Sequence, residues 1–240
     1  MSAVAAIIDR TPVRTIDEVI VRMQELDAAL PARDGVAYFN RLYLATTENV
    51  AAAAQDGTFT RRDFLLALDV AFANLYFAAV RAVEAGAAPP PAWRPLFAAR
   101  RSLAIAPLQF ALAGMNAHIN RDLPVALVET FTASTTAMAR PSAEASDYDR
   151  INDVLAKTET EVAEAYMTPT LKEIDREFDG VEDVAANWCV RTARAAAWTN
   201  GASLWHLRAH PTLSEDYLAA LDRMVGFAGR GLLIATALDD

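Results

Sequence analysis

Apolar residues recur along this chain at spacings of three and four, and no stretch alternates with period two, so the pattern predicts an all-α fold. Thr15 followed by Glu18 makes a capping box ahead of Ile16, Val19, Ile20, Met23 and Leu26, a first amphipathic helix that Leu30-Pro31 stops. Asp34-Gly35 opens a second helix carrying Phe39, Leu42, Tyr43, Thr46 and Val50, which ends near Asp56-Gly57. A third, with Thr60 as its expected cap, runs to about Glu84 and is apolar on nearly every side from Phe64 to Val80, a pattern that places it in the interior. Gly86 and the run Pro89-Pro90-Pro91 then break the chain. A short helix is expected over 94–101, followed from Leu103 by a core helix that tolerates Pro107 in its first turn. Further helices are expected at about 123–138, 147–167, 170–178, 182–209 (ended by Pro211) and 215–238 (opened by Ser214). Eight to ten helices would then form a single compact bundle around a central apolar helix, with one helical domain over residues 1–240.

Composition strengthens the helical reading. Much of the 53% hydrophobic content is alanine, the best helix former because it loses no side-chain entropy on folding. A chain of 240 residues buries enough apolar surface to fold without a metal or a disulfide. Cys189 is the only cysteine, and no leader or lipidation signal is read, so a cytoplasmic location is expected. The formal charge of −9 repels a phosphate backbone, so no nucleic-acid partner is expected. The uncharged run from Leu103 to Ala117 is too short for a bilayer and includes Gln109 and Asn116; it reads as a buried core helix, and no membrane span is expected.

Candidate chemistry concentrates where that core helix ends, in Gly114-Met115-Asn116-Ala117-His118-Ile119-Asn120-Arg121-Asp122-Leu123-Pro124. His118 and Asp122, four apart, share one helix face; Gln109, Asn116 and Asn120 share another. The first pair fits an oriented acid/base dyad in which the carboxylate fixes the imidazole tautomer, or half of a metal site. The blander alternative makes Asp122 the cap of the next helix and His118 a core histidine bonded to a backbone carbonyl. Asp69 projects from an apolar surface of Leu65, Phe72 and Tyr76, where an unpaired carboxylate costs several kcal/mol; it needs an arginine or His118 as partner, or it is a third catalytic candidate. Trp198 and Trp205, seven apart, share a stripe with Arg191 and Arg194 on much the same side, which reads as core or as the wall of an apolar pocket with arginines at its mouth. Asn116, Asn120, Gln109, Tyr76, Asn152, Trp198 and Arg194 are thus the candidate ligand-binding residues.

Metal sites read poorly. His206 and His210 have the one-face spacing of a zinc helix, but no Glu follows the first histidine and no third ligand can be named. Asp149 and Asp153 fall on the solvated side of their helix. The metal triad of terpene cyclases needs side-chain oxygens at i, i+4 and i+8, which here would be Asn152, Ala156 and Thr160. Gly226, Gly229 and Gly231 follow no strand and make no dinucleotide fingerprint.

The run Gly114 to Asn120 with Asp122-Leu123, together with Asp149-Arg150-Ile151-Asn152-Asp153-Val154-Leu155, resembles an uncharacterised bacterial all-α family of unknown function over most of the chain. The resemblance implies the fold and supplies no substrate, cofactor or catalytic residue. The residues themselves favour a small-molecule enzyme with an interior, largely apolar pocket and His/Asp acid-base chemistry; the resemblance to a bacterial family implies bacterial specialised metabolism as its expected setting. A non-catalytic ligand-binding or structural helical protein is the rival, and a metal-dependent hydrolase the third reading. The expected partner is an apolar small molecule; no cofactor is expected, and homo-oligomer formation stays open.

Overall fold

The computed structural model describes residues 2–166 and 189–235. Every regular element in the described residues is helical, and no strand occurs among them. The helices are α1 (Ala3–Ile8), α2 (Ile16–Ala29), α3 (Gly35–Gln55), α4 (Arg62–Glu84), α5 (Arg94–Ala99), α6 (Pro107–Ala117), α7 (Leu123–Ala133), α8 (Ala143–Tyr166), α9 (Val190–Leu207) and α10 (Pro211–Leu232). A single wide turn, His118–Asp122, joins α6 to α7 without a loop.

Local chemistry sets most of the boundaries. The Thr15 hydroxyl accepts from Glu18 N–H at 3.2 Å, and Asp34 Oδ1 accepts from Val36 N–H at 2.9 Å, each satisfying a donor that a helix start leaves free. Asp56 closes α3, and Gly57 beyond it takes a φ of 72°, a left-handed conformation that costs glycine little. Several expectations shift. The core helix expected from Leu103 starts at Pro107, which leaves Leu103 exposed and outside any helix, and the helix expected to reach 138 ends at Ala133. Thr60 does not cap α4: Arg61 occupies that place and makes no side-chain cap bond. The helix expected from 147 starts at Ala143, where the Ser142 hydroxyl accepts from Ala145 N–H. Pro211 does not merely end its predecessor; it begins α10, since a proline in the first turn has no N–H to leave unpaired. The helix expected at 170–178 and the first turns of that expected from 182 lie outside the described residues. The first helix, α1, lies ahead of the first one the pattern predicts; it buries Val4, Ile7 and Ile8.

Helix α6 is the central rod: all of its residues except Leu108 are buried. It lies against α3 on one side and α10 on the other, while α4 packs on α7 and α7 on α9. The approach of α3 to α6 is close because glycine faces an aromatic ring on both. A Cβ on Gly35 would come within 2.5 Å of the Phe110 ring, and one on Gly114 would overlap the Phe39 ring. By length and composition α4 could also cross a membrane, but about half of its most apolar stretch is buried here against α1, α2, α7 and the wide turn.

Candidate functional site

The wide turn has a local cause. Pro124 lacks an N–H and its ring would crowd the carbonyl four residues back, so an unbroken α-helical ladder cannot run through this point. The chain widens instead, and Leu123 N–H reaches the His118 carbonyl, five residues away. Such π-turns are rare and recur at functional sites. This one carries His118, 1% exposed, and Asp122, 0% exposed, into the centre of the molecule.

Within it, His118 Nδ1 lies 3.0 Å from Asp122 Oδ2. The Trp93 indole N–H donates to the same oxygen at 2.9 Å, and Arg121 Nη1 donates to Asp122 Oδ1 at 2.8 Å. Asp122 therefore caps nothing, contrary to the blander expectation; its side chain makes no bond to the start of α7. Nor is His118 bonded to a backbone carbonyl. A carboxylate is an acceptor only, so the imidazole bonds to it through a protonated Nδ1, and Nε2 is then an unprotonated lone pair. That Nε2 is buried and has no hydrogen-bond partner among the described residues. Burial depresses the His118 pKa below its usual value, against the opposing pull of Asp122, and holds the ring neutral.

Five aromatic rings box the imidazole. Phe72 stacks on it at 3.4 Å between centroids and 5° between planes, Tyr43 meets it edge-on at 4.5 Å, and Phe39, Trp93 and Tyr76 stand 5.7, 5.9 and 6.1 Å away. The Gly114 approach presses the Phe39 ring against this box, which ties the glycine of the motif to the histidine four residues on.

The acid side is anchored further out. Arg121 lies between two buried carboxylates, Asp122 and, at 3.4 Å, Asp222 of α10. Asp222 Oδ1 in turn accepts from Ala92 N–H at 2.7 Å, one residue before Trp93. Residues 92–93, 121–122 and 222 thus form one closed polar ring behind the imidazole.

Residues 16–235 match the model of a family of unknown function (DUF5995). The chain belongs to that family. The match includes every residue of the dyad and its ring. No curated protein and no solved structure matches the chain.

The remaining candidates divide by location. Asp69 sits on α4 one turn before Phe72; its Oδ2 is buried and has no hydrogen-bond partner among the described residues. Burial raises its carboxyl to about 7, against the counteracting charge of Arg194, and no arginine among the described residues forms an ion pair with it. Its charge also acts on the Tyr43 hydroxyl, which burial pushes well above the usual phenol range. Asp69 stands on the α4 face that also carries Phe72 and Tyr76 of the aromatic box, three and seven residues on. Tyr76 lines that box but donates its hydroxyl to Asn40 Oδ1 at 3.2 Å.

Arg194 and Asn152 pair with each other: the guanidinium donates to Asn152 Oδ1 at 3.0 Å and to the Tyr148 carbonyl at 2.8 Å, locking α9 to α8. Trp198 packs on Phe131 and Tyr148 under the Arg140 guanidinium, and Phe131 also meets Trp205, so the tryptophan stripe seats α9 on α7. Gln109 and Asn116 face α10. Gln109 Nε2 donates to the carbonyls of Leu232 and Ile234, Asn116 Nδ2 donates to that of Val225, and Asn120 Nδ2 donates to Asn116 Oδ1. Gln109 and Asn116 hold the last helix and its end, Asn120 braces Asn116, and none of the three bonds the imidazole.

His206 is exposed, Asp149 and Asp153 are largely exposed in ion pairs with Arg140 and Arg191, and no cluster of three His, Cys, Asp or Glu suited to a metal occurs among the described residues. Sequence reasoning did not single out Trp93, Arg121, Tyr43 or Asp222. Asp222 carried a usable signal: it stands between Leu221 and Val225 on the apolar face of its helix, the same anomaly that marks Asp69.

Proposed function

We propose that the protein is an enzyme acting by acid-base chemistry on a small, mostly apolar molecule, with His118 as general base and Asp122 as the residue that positions it. One observation supports this above the others. A neutral imidazole is held through Nδ1 by a carboxylate that two further donors fix, while its Nε2 is left bare in an apolar box. A core histidine kept only for packing would have both nitrogens satisfied, because an unpaired buried polar atom costs about 1–3 kcal/mol. An imidazole oriented by a carboxylate, with the other nitrogen free, is the arrangement a base needs to take a proton and give it back. Asp69, whose carboxyl at about 7 is partly protonated near neutral pH, supplies the complementary donor. The rival, a non-catalytic helical protein, draws its support from Phe72, which covers one face of the imidazole as a packing residue would.

The test starts from the nitrogen itself. In ¹⁵N NMR, His118 should show the Nδ1–H tautomer, and small apolar carbonyl and hydroxyl compounds that bind should shift Nε2 selectively. For any compound among them that the protein converts, His118→Asn should lower turnover by about 10²- to 10⁴-fold while costing no more than about 2 kcal/mol of stability. Turnover at the wild-type rate by a folded His118→Asn protein rules the reading out.

A further inference from the structure

Helix α10 has two faces of opposite character. One buries Leu221, Asp222, Val225, Gly226 and Gly229 against the molecule, with Gly226 so close to Pro91 that a Cβ there would lie 2.5 Å from its carbonyl oxygen. The other is open and apolar: Leu213 is 55% exposed, Met224 66% and Phe227 73%, with exposed Ala220 between them and Ile234, 66% exposed, just past the helix end. Positions 213, 220, 227 and 234 are seven apart, and Met224 falls between them at the spacing of a helix-packing seam. Three of the six large hydrophobic side chains most exposed in the described structure therefore lie on this one helix face, and a fourth, Ile234, follows just past its end. Monomers seldom leave such a contiguous patch in water.

The charges flanking the seam point to what covers it. Asp216 lies beside its N-terminal half, and Arg223 and Arg230 lie beside its C-terminal half, all three exposed. The Arg230 guanidinium reaches over the Phe227 ring at 5.6 Å, so the basic end belongs to the seam itself. All three fall on the same flank of the seam, so two such helices laid parallel would set each charged flank against the partner's uncharged one and leave the charges unpaired. Laid antiparallel about a two-fold axis, each acidic half meets a basic half. We propose that the exposed face of α10 is a homodimer interface, in which two copies of this chain pair their α10 helices antiparallel along most of the helix's length of about 33 Å.

The charge pattern makes the test specific. Sedimentation velocity across the micromolar range should show a dimer of the wild-type chain. Phe227→Glu, at an exposed position, should leave the helical circular dichroism unchanged and give a monomer. Asp216→Arg makes the flank wholly basic, and the double variant R223D/R230D makes it wholly acidic; each alone should associate more weakly than wild type by more than about tenfold, since like charges then face one another in any antiparallel register. An equimolar mixture of the two should regain the dimer as a heterodimer. A wild-type chain that stays monomeric throughout, meaning the face is open or covered by the chain's own residues, overturns the proposal. So does a Phe227→Glu protein that remains dimeric, or a mixture that fails to associate.

Discussion

At the scale of single residues, the two groups that matter most titrate in opposite senses. For Asp69, the folded carboxyl at about 7 lies well above the unfolded value of about 3.9. Between those values the folded state holds a proton that the unfolded chain has released. The stability tied to Asp69 is therefore complete below about pH 4 and lost as pH rises through about 7. Asp69→Asn should remove that loss. Its unfolding free energy relative to wild type should rise by about 2 kcal/mol between pH 5 and pH 8, less than the full shift implies because the residue is only partly buried. His118 runs the other way. Its folded pKa is depressed, so the unfolded chain gains a proton first as pH falls, and stability drops below about 6.5. Urea titrations at several pH values check both: a pH-independent difference between Asp69→Asn and wild type would show that Asp69 is not held protonated. The dyad was legible in the sequence because His118 and Asp122 are four apart in a segment too apolar to be surface. The ring behind it was not, since Trp93, Arg121 and Asp222 come together from three separate segments, and spacing along one helix carries no information about such meetings.

At the scale of elements, periodicity and caps located the helices well wherever an apolar stripe was long, as in α2, α3 and α4. They failed where a proline had two roles. Pro211 reads as a terminator and acts as an initiator, and Pro124 was expected to sit inside a new helix when it also widens the turn before it. The close crossing of α3 and α6 was invisible for a similar reason: a glycine inside a helical pattern signals lost propensity, while its use here depends on a ring from another helix. Gly114→Ala tests that crossing. Intrinsic propensity alone would stabilise α6 by nearly 1 kcal/mol, but the added methyl overlaps Phe39. Because Phe39 is fully buried among Tyr43, Tyr76, Trp93 and His118, it has nowhere to go, and overpacking should dominate. We expect a net loss of about 2 kcal/mol by denaturant unfolding, together with changed ring-current shifts on the His118 imidazole protons. A stabilised Gly114→Ala protein would mean that the helices separate freely.

At the scale of the whole molecule, the polar ring decides how the last helix is coupled to the centre. Among the described residues, α10 is held by neutral bonds from Gln109 and Asn116 to its backbone, by the Tyr217 hydroxyl donating to Asn200 Oδ1, and by one charged link, Asp222 to Arg121 and to Ala92 N–H. Only the charged link reaches Asp122, and through it the imidazole. Asp222→Ala therefore has two separable consequences. It strands a buried backbone N–H at Ala92 and leaves Arg121 with a single carboxylate, which should cost about 3 kcal/mol in global unfolding. It also frees Arg121 to draw Asp122 away from His118, so the Nδ1–H bond should weaken and the ¹⁵N signature of a single fixed tautomer should blur toward exchange between two. Asp222→Asn is the discriminating companion. Its amide oxygen still accepts from Ala92, so most of the stability should return, while the charge that balances Arg121 is still missing. If the ring serves only to hold α10, the Asn variant should match wild type in both stability and tautomer. If it sets the imidazole, stability should recover and the tautomer should not.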